Sequence, residues 1–214
     1  KRKIMDIVLM GVPGAGKGTQ AAKLETTLHC KHISTGDVLR AEIASCSPLG
    51  KQIAGIIDGG YLFPDEMMVS ILKNAATGTD KGIIFDGFPR TVAQAEMLNN
   101  MLGQLGRKLV KAVMIDLSEE AAVKRLCARR QCHLPDGSVH QIGPDFSPED
   151  CRAQGGSLFT RPDDTPEHIR HRLSVYHQQT QPVADFYKTQ GIYAQVDGDK
   201  DPQQVFAELL AVLQ

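Results

Sequence analysis

The stretch "IMDIVLMGVPGAGKGT", residues 4–19, decides how the chain is read. Apart from Asp6, residues 4–10 are continuously apolar, which suits a short buried strand closed by Gly11. Four glycines and one proline then fall within residues 10–19, a composition hostile to regular structure. Two readings compete: a bland turn between strand and helix, or a cradle for phosphate. The G-x-x-x-x-G-K spacing from Gly11 to Gly16 and Lys17 favours the cradle. Gly14, Gly16 and Gly18, with Ala15 among them, let backbone N–H groups turn inward onto phosphate oxygens. Lys17 brings a point charge to the outer phosphates, and the helix that follows presents its positive end. One residue departs from the strict pattern. Gly18 stands where a hydroxyl usually meets magnesium, and Thr19 brings the hydroxyl one place later.

The rest of the chain sets bounds. Its 214 residues suit one domain carrying insertions. Net charge is −1, from 24 basic against 25 acidic residues, with a pI near 6.7. Nothing global therefore points to nucleic acid or an anionic membrane. No apolar run approaches the roughly 18–20 residues that span a bilayer, and no secretory leader is evident. A cytoplasmic location is the expectation. Five cysteines (Cys30, Cys46, Cys127, Cys132 and Cys151) make an odd set without a dense framework. They are expected to be free or metal-bound rather than bridged, in a reducing compartment.

Strands and helices alternate in the pattern. "KHIS", "GIIFD", "VKAVMIDL" and "IYAQVD" read as further strands at 31–34, 82–86, 110–117 and 192–197. Helices are expected over about 17–28, 37–45, 50–58, from 64 onward, 91–105, from 118 onward, 166–189 and 202–213. Such alternation implies parallel βαβ units in an α/β, doubly wound sheet. Residues 131–160, rich in Gly, Pro, Asp and Ser, lack a helical period. They read as a small inserted β-rich subdomain, with a disordered surface insertion as the alternative.

The phosphate loop "GVPGAGKGTQ" resembles that of adenylate kinases and related nucleoside monophosphate kinases, which use G-x-P-G-x-G-K-G-T. "ISTGDVLR" at 33–40, "FDGFPRTVAQAE" at 85–96, "RPDD" at 161–164 and "VDGDK" at 196–200 extend the resemblance over nearly the whole chain. It implies a P-loop fold with a five-stranded parallel sheet and the reaction ATP + AMP ⇌ 2 ADP in a monomer. The implied parts are a core of 1–33, 64–130 and 164–214, a helical AMP flap at 34–63 and a lid at 131–163. The resemblance to a long-lid adenylate kinase leaves a GTP-using AMP kinase, another monophosphate kinase and an inactive nucleotide-binding regulator as rivals.

Site residues follow from the same resemblance. Any one arginine would ordinarily be a solvated surface charge, but here each matches a family position. Arg40 and Arg90 would hold the AMP phosphate. Thr35 and Gln94 would read its adenine, with Gly36, Tyr61, Leu62, Phe63, Gly87, Phe88 and Pro89 forming walls. Arg129, Arg161 and Arg172 would clamp the moving phosphoryl, together with Lys17 and Arg90. The donor would meet Gly14 to Thr19, Arg125, Arg129, the backbone of Lys200, and Ser138 and Val139. Relatives often carry a Val-Tyr pair at these last two positions, so a base-stacking aromatic is missing. Asp86 would orient Mg2+ through water, or else simply cap its strand end. Asp163 and Asp164 would orient arginines at the lid hinge. Cys132 and Cys151 match two of the four lid positions that hold structural zinc in many long-lid relatives. Pro135 and Gln154 occupy the other two and are poor zinc ligands. His133 and His140 are the nearest substitutes, at unfamiliar spacing, so two packed thiols are expected and a disulfide is disfavoured.

Overall fold

A computed structural model describes residues 4–45, 47–58, 64–143, 145–161 and 164–214. The elements run β1 (Asp6–Met10), α1 (Lys17–Leu28), β2 (Lys31–Ser34), α2 (Thr35–Ala44), α3 (Pro48–Asp58), α4 (Asp65–Ala76) and β3 (Ile83–Asp86). Next come α5 (Val92–Gln104), β4 (Leu109–Asp116), α6 (Glu119–Ala128), β5 (Gln131–His133), β6 (Val139–Gln141), α7 (Pro148–Ala153) and β7 (Ser157–Phe159). Helix α8 (Pro166–Val175), a π-helical turn (Tyr176–Thr180), α9 (Gln181–Thr189), β8 (Tyr193–Asp197) and α10 (Pro202–Leu213) complete the chain.

Five strands form one parallel sheet in the order β2-β3-β1-β4-β8. Side chains alternate between the faces of a strand, yet every residue of β1 is buried. Both faces of the sheet centre are therefore covered, as a parallel sheet requires. The covering comes from apolar stripes such as Ala95, Leu98 and Leu102 on α5 and Val205, Leu209 and Leu213 on α10. Register aligns the strand ends that matter: Ser34 stands opposite Asp86, and Asp86 opposite Leu9. The loop after β1, the start of α2 and the end of β3 consequently meet at one edge.

One buried ion pair anchors this core. Asp6, the first residue of β1, accepts from Arg107 Nε at 2.8 Å and Nη2 at 2.5 Å, and from Ile83 N at 2.9 Å. Hydrogen bonds to Asp6 hold the Arg107 guanidinium above its ordinary pKa. The only charge inside "IMDIVLM" thus ties β1 to β3 and to the turn before β4.

Three sequence expectations need correction. The helix expected over 166–189 is interrupted by the π turn, whose end is marked by Gln181 N–H donating to Tyr176 O. Pro182 explains the break, because it has no N–H and its ring crowds the preceding turn. The insertion does contain a small antiparallel sheet, β6-β5-β7, and also a helix with no helical period to announce it. Its signal was local: Ser147 and Asp150 form a reciprocal capping box, with Pro148 at the first position. Finally, Cys132 and Cys151 are joined in a disulfide, with Cα atoms 5.8 Å apart. Their 19-residue separation disguised a β5–α7 contact, and packing with Leu134, Ile142 and Phe146 encloses the pair. Cysteine usage therefore no longer argues for a reducing compartment. Cys30 is free and buried, and Cys127 free and exposed.

Candidate active site

The loop between β1 and α1 has the backbone that its glycines foretold. Gly14 and Gly16 adopt φ of 90° and 87°, in the left-handed region that side chains disfavour. Ala15 is buried and its N–H donates to Val12 O at 3.1 Å, closing the turn. Lys17 opens α1, and its ammonium donates to Gly11 O at 2.9 Å and Val12 O at 3.1 Å. The charge is held inside the loop mouth with two partners that a phosphate could replace. Desolvation pushes the Lys17 pKa down to about 8, opposed by Asp86 and assisted by Arg90, Arg172 and Arg129. Charges from β3, the loop after it, the residue following α6, and α8 thus all act on one ammonium.

Asp86 is buried at the end of β3 and meets His32 Nε2 at 3.3 Å through Oδ2. A Cβ added at Gly18 would lie 3.4 Å from the same oxygen, so the carboxylate stands directly against the start of α1. This explains the irregular loop ending in physical terms. The position that elsewhere offers a hydroxyl here leaves its flank to a carboxylate from β3. A hard oxygen donor beside a phosphate cradle is chemically suited to magnesium, with waters completing its shell.

Arg90 donates from Nε to Gly87 O at 2.9 Å. It keeps access to water, yet the cleft walls crowd it; desolvation and then Arg172 push its pKa down. Arg129 makes a two-pronged contact with Asp164, at 2.7 and 2.5 Å, and Arg172 reaches the same carboxylate at 3.4 Å. Asp164 is thus a buried partner shared by two arginines. Arg161 donates to Gln131 Oε1 at 2.6 Å. Arg40 folds over Gly36 and pairs with Asp37. Burial raises the Asp37 pKa, but hydrogen bonds from Arg40 and Ser34, with the Arg40 and Arg161 charges, bring it below the ordinary value. Arg40 therefore pairs directly with this carboxylate at the start of α2.

Other expected contacts are more local. Thr35 is buried, and its hydroxyl donates to Asp86 O at 3.3 Å beside Gly87. Phe88 is also buried, and its bond to Pro89 is cis. Gln94 is held at both ends, by Arg90 N and by Asp65. Arg125 donates to Gly198 O at 2.9 Å, tying α6 to the turn after β8. The Lys200 side chain pairs with Glu208. Ser138 lies in the lid turn, bonded to His140 Nε2 at 3.2 Å, and Val139 is exposed. Tyr61, Leu62, Phe63 and Asp163 lie outside the described residues. His32, Asp65 and Gln131 were missed by sequence reasoning, because each acts through a partner far away in sequence.

Zinc does not fit the lid. Both thiols that could ligate it are consumed in the disulfide, and the described residues contain no cluster of three or more His, Cys, Asp or Glu suited to a metal. No described helix is long and apolar enough to cross a membrane.

A glycine cradle, a desolvated lysine and converging arginines at the strand ends define a P-loop phosphotransferase of the nucleoside monophosphate kinase type. The adenylate kinase family model matches residues 9–192. Similar proteins include the adenylate kinase of Elusimicrobium minutum, 44% identical over 207 residues covering 96% of each chain. That of Lysinibacillus sphaericus is 43% identical over 98% of each chain. That of Staphylococcus aureus is 40% identical over 98% of this chain and 99% of its own. The chain belongs to the adenylate kinase family.

Proposed function

We propose that this chain catalyses ATP + AMP ⇌ 2 ADP in the cleft around Lys17, as a monomer in the cytoplasm. The observation that carries the reading is the geometry of the loop mouth: the Lys17 ammonium is held by Gly11 O and Val12 O, Asp86 stands against Gly18, and Asp164 holds Arg129 and Arg172 on one carboxylate. Arg90, Arg172 and Arg129 disfavour the Lys17 charge and Asp86 favours it; a bound phosphate anion would favour it further. The acceptor is itself a phosphate anion, so no base is needed to remove a hydroxyl proton. Catalysis then consists of positioning and charge neutralisation. Lys17 and the loop amides hold the donor phosphates. Arg90 and Arg40 hold the acceptor phosphate. Arg129, Arg161 and Arg172 neutralise the group in flight. Magnesium, oriented by Asp86 through water, would supply further neutralisation of the donor phosphates. Residues 131–163 would close over the donor and exclude water as a rival acceptor; Asp145 already meets Lys23 of α1 at 3.1 Å.

A coupled assay of nucleotide pairs tests the substrates. AMP should give ADP with ATP as donor. If AMP were inert with both ATP and GTP while UMP or CMP was phosphorylated, the acceptor assignment would fail. The pH profile tests Lys17 separately. The protonated ammonium pairs with phosphate, and in the free enzyme it is half lost near pH 8. Bound phosphate favours the proton, so kcat/KM for ATP should be flat from about pH 6.5 to 7.5 and fall above about pH 8, toward tenfold per unit. A profile flat to pH 9.5 would contradict the assigned ionisation.

A further inference from the structure

Gln94 lies near the start of α5, and both ends of its side-chain amide are committed. Arg90 N–H donates to Oε1 at 2.7 Å, and Nε2 donates to Asp65 Oδ1 at 2.7 Å. A primary amide is almost symmetric in shape, so its partners decide which end faces where. These two partners allow one answer. A backbone N–H can only donate, so it must face the oxygen. An ionised carboxylate can only accept, so it must face the nitrogen. Swapping the ends would set N–H against N–H and oxygen against oxygen. Asp65, the first residue of α4, comes from a separate part of the chain, 29 residues earlier.

We propose that Asp65 is a positioning residue that locks the Gln94 amide and thereby makes the acceptor site select 6-aminopurine over 6-oxopurine nucleotides. The proposal rests on the reading that Gln94 faces the acceptor base. Each end of the locked amide keeps one unused site: a lone pair on Oε1 and an N–H on Nε2. Adenine offers the complement, an exocyclic amino donor beside a ring-nitrogen acceptor. Hypoxanthine offers the reverse on its pairing edge, a carbonyl acceptor beside a ring N–H. A freely turning glutamine would satisfy either base by rotating half a turn. A locked one satisfies adenine and leaves buried polar groups opposed in the other case, the kind of mismatch that gives strong discrimination.

The test uses the full chain with ATP as donor and AMP or IMP as acceptor. Asp65→Asn keeps the shape but can present either an oxygen or an N–H to Gln94, so the lock loses one of its two constraints and only the Arg90 N–H still opposes rotation. The ratio of kcat/KM for AMP to that for IMP should fall by about 10-fold or more, chiefly through a gain with IMP, while KM for ATP stays within about 2-fold. Asp65→Ala repeats the measurement should Asp65→Asn fold poorly. A merely structural role would lower AMP and IMP turnover by the same factor, and that result, or an unchanged ratio, overturns the proposal. Gln94→Leu separates the two layers. If it leaves the ratio and KM for AMP unchanged, the placement of Gln94 at the base fails. If it collapses the ratio while both Asp65 variants leave it intact, only the lock fails.

Discussion

Lys17→Met should lower kcat by about 10²–10³-fold, the usual cost of deleting one preorganised group that meets developing charge. Methionine keeps the length and apolar stem of lysine, so the loop should remain folded. The ammonium is desolvated, and the charges of Arg90, Arg172 and Arg129 repel it while Asp86 attracts it. Removing it relieves that repulsion, and the melting temperature of the unliganded protein should be unchanged or higher. Steady-state kinetics at saturating ATP and AMP, beside a thermal melt, gives both readouts. Near-normal kcat would remove Lys17 from the mechanism. A lost melt would mean that the lysine supports the loop instead of the reaction.

Asp164→Ala should damage stability and rate together. The Asp164 side chain is fully buried and receives Arg129 through two hydrogen bonds, with Arg172 also in contact. Deleting one partner of a buried pair strands the other charge, and about 3 kcal/mol of stability should be lost. A guanidinium displaced by about 1 Å from the phosphoryl path can cost roughly 10²-fold in rate. Asp164→Asn separates these effects. It keeps the shape and one acceptor, so most of the stability should return, while kcat should stay depressed because two guanidiniums no longer share a carboxylate. Urea unfolding with kinetics on both variants checks this. Full activity in Asp164→Ala would show that Arg129 and Arg172 are oriented by other groups.

Legibility in the sequence followed the range of the physics involved. The loop was readable because its requirements are local: glycine for left-handed backbone at 14 and 16, lysine at a fixed offset, an apolar run just before. The sheet was readable because strand and helix periods alternate. The Cys132–Cys151 bond was misjudged because it depends on where β5 and α7 pack, a relation with no signature in residue spacing. The π turn was missed because a helical period continues through it, although Pro182 was there to be weighed. Helix α7 was missed because six residues are too few to show a period; only its cap was legible.

By itself, then, the sequence determined the class of ligand and the order of the elements, since both are written in near-neighbour constraints on backbone and charge. The tertiary structure alone decided who orients whom. Asp86 reaches Gly18 because β3 lies beside β1. Asp164 reaches Arg129 from 35 residues away. Asp65 reaches Gln94 because α4 and α5 pack together. Hydrogen bonds and ion pairs act over about 3 Å whatever the chain distance, so these assignments exist only once the chain has closed on itself.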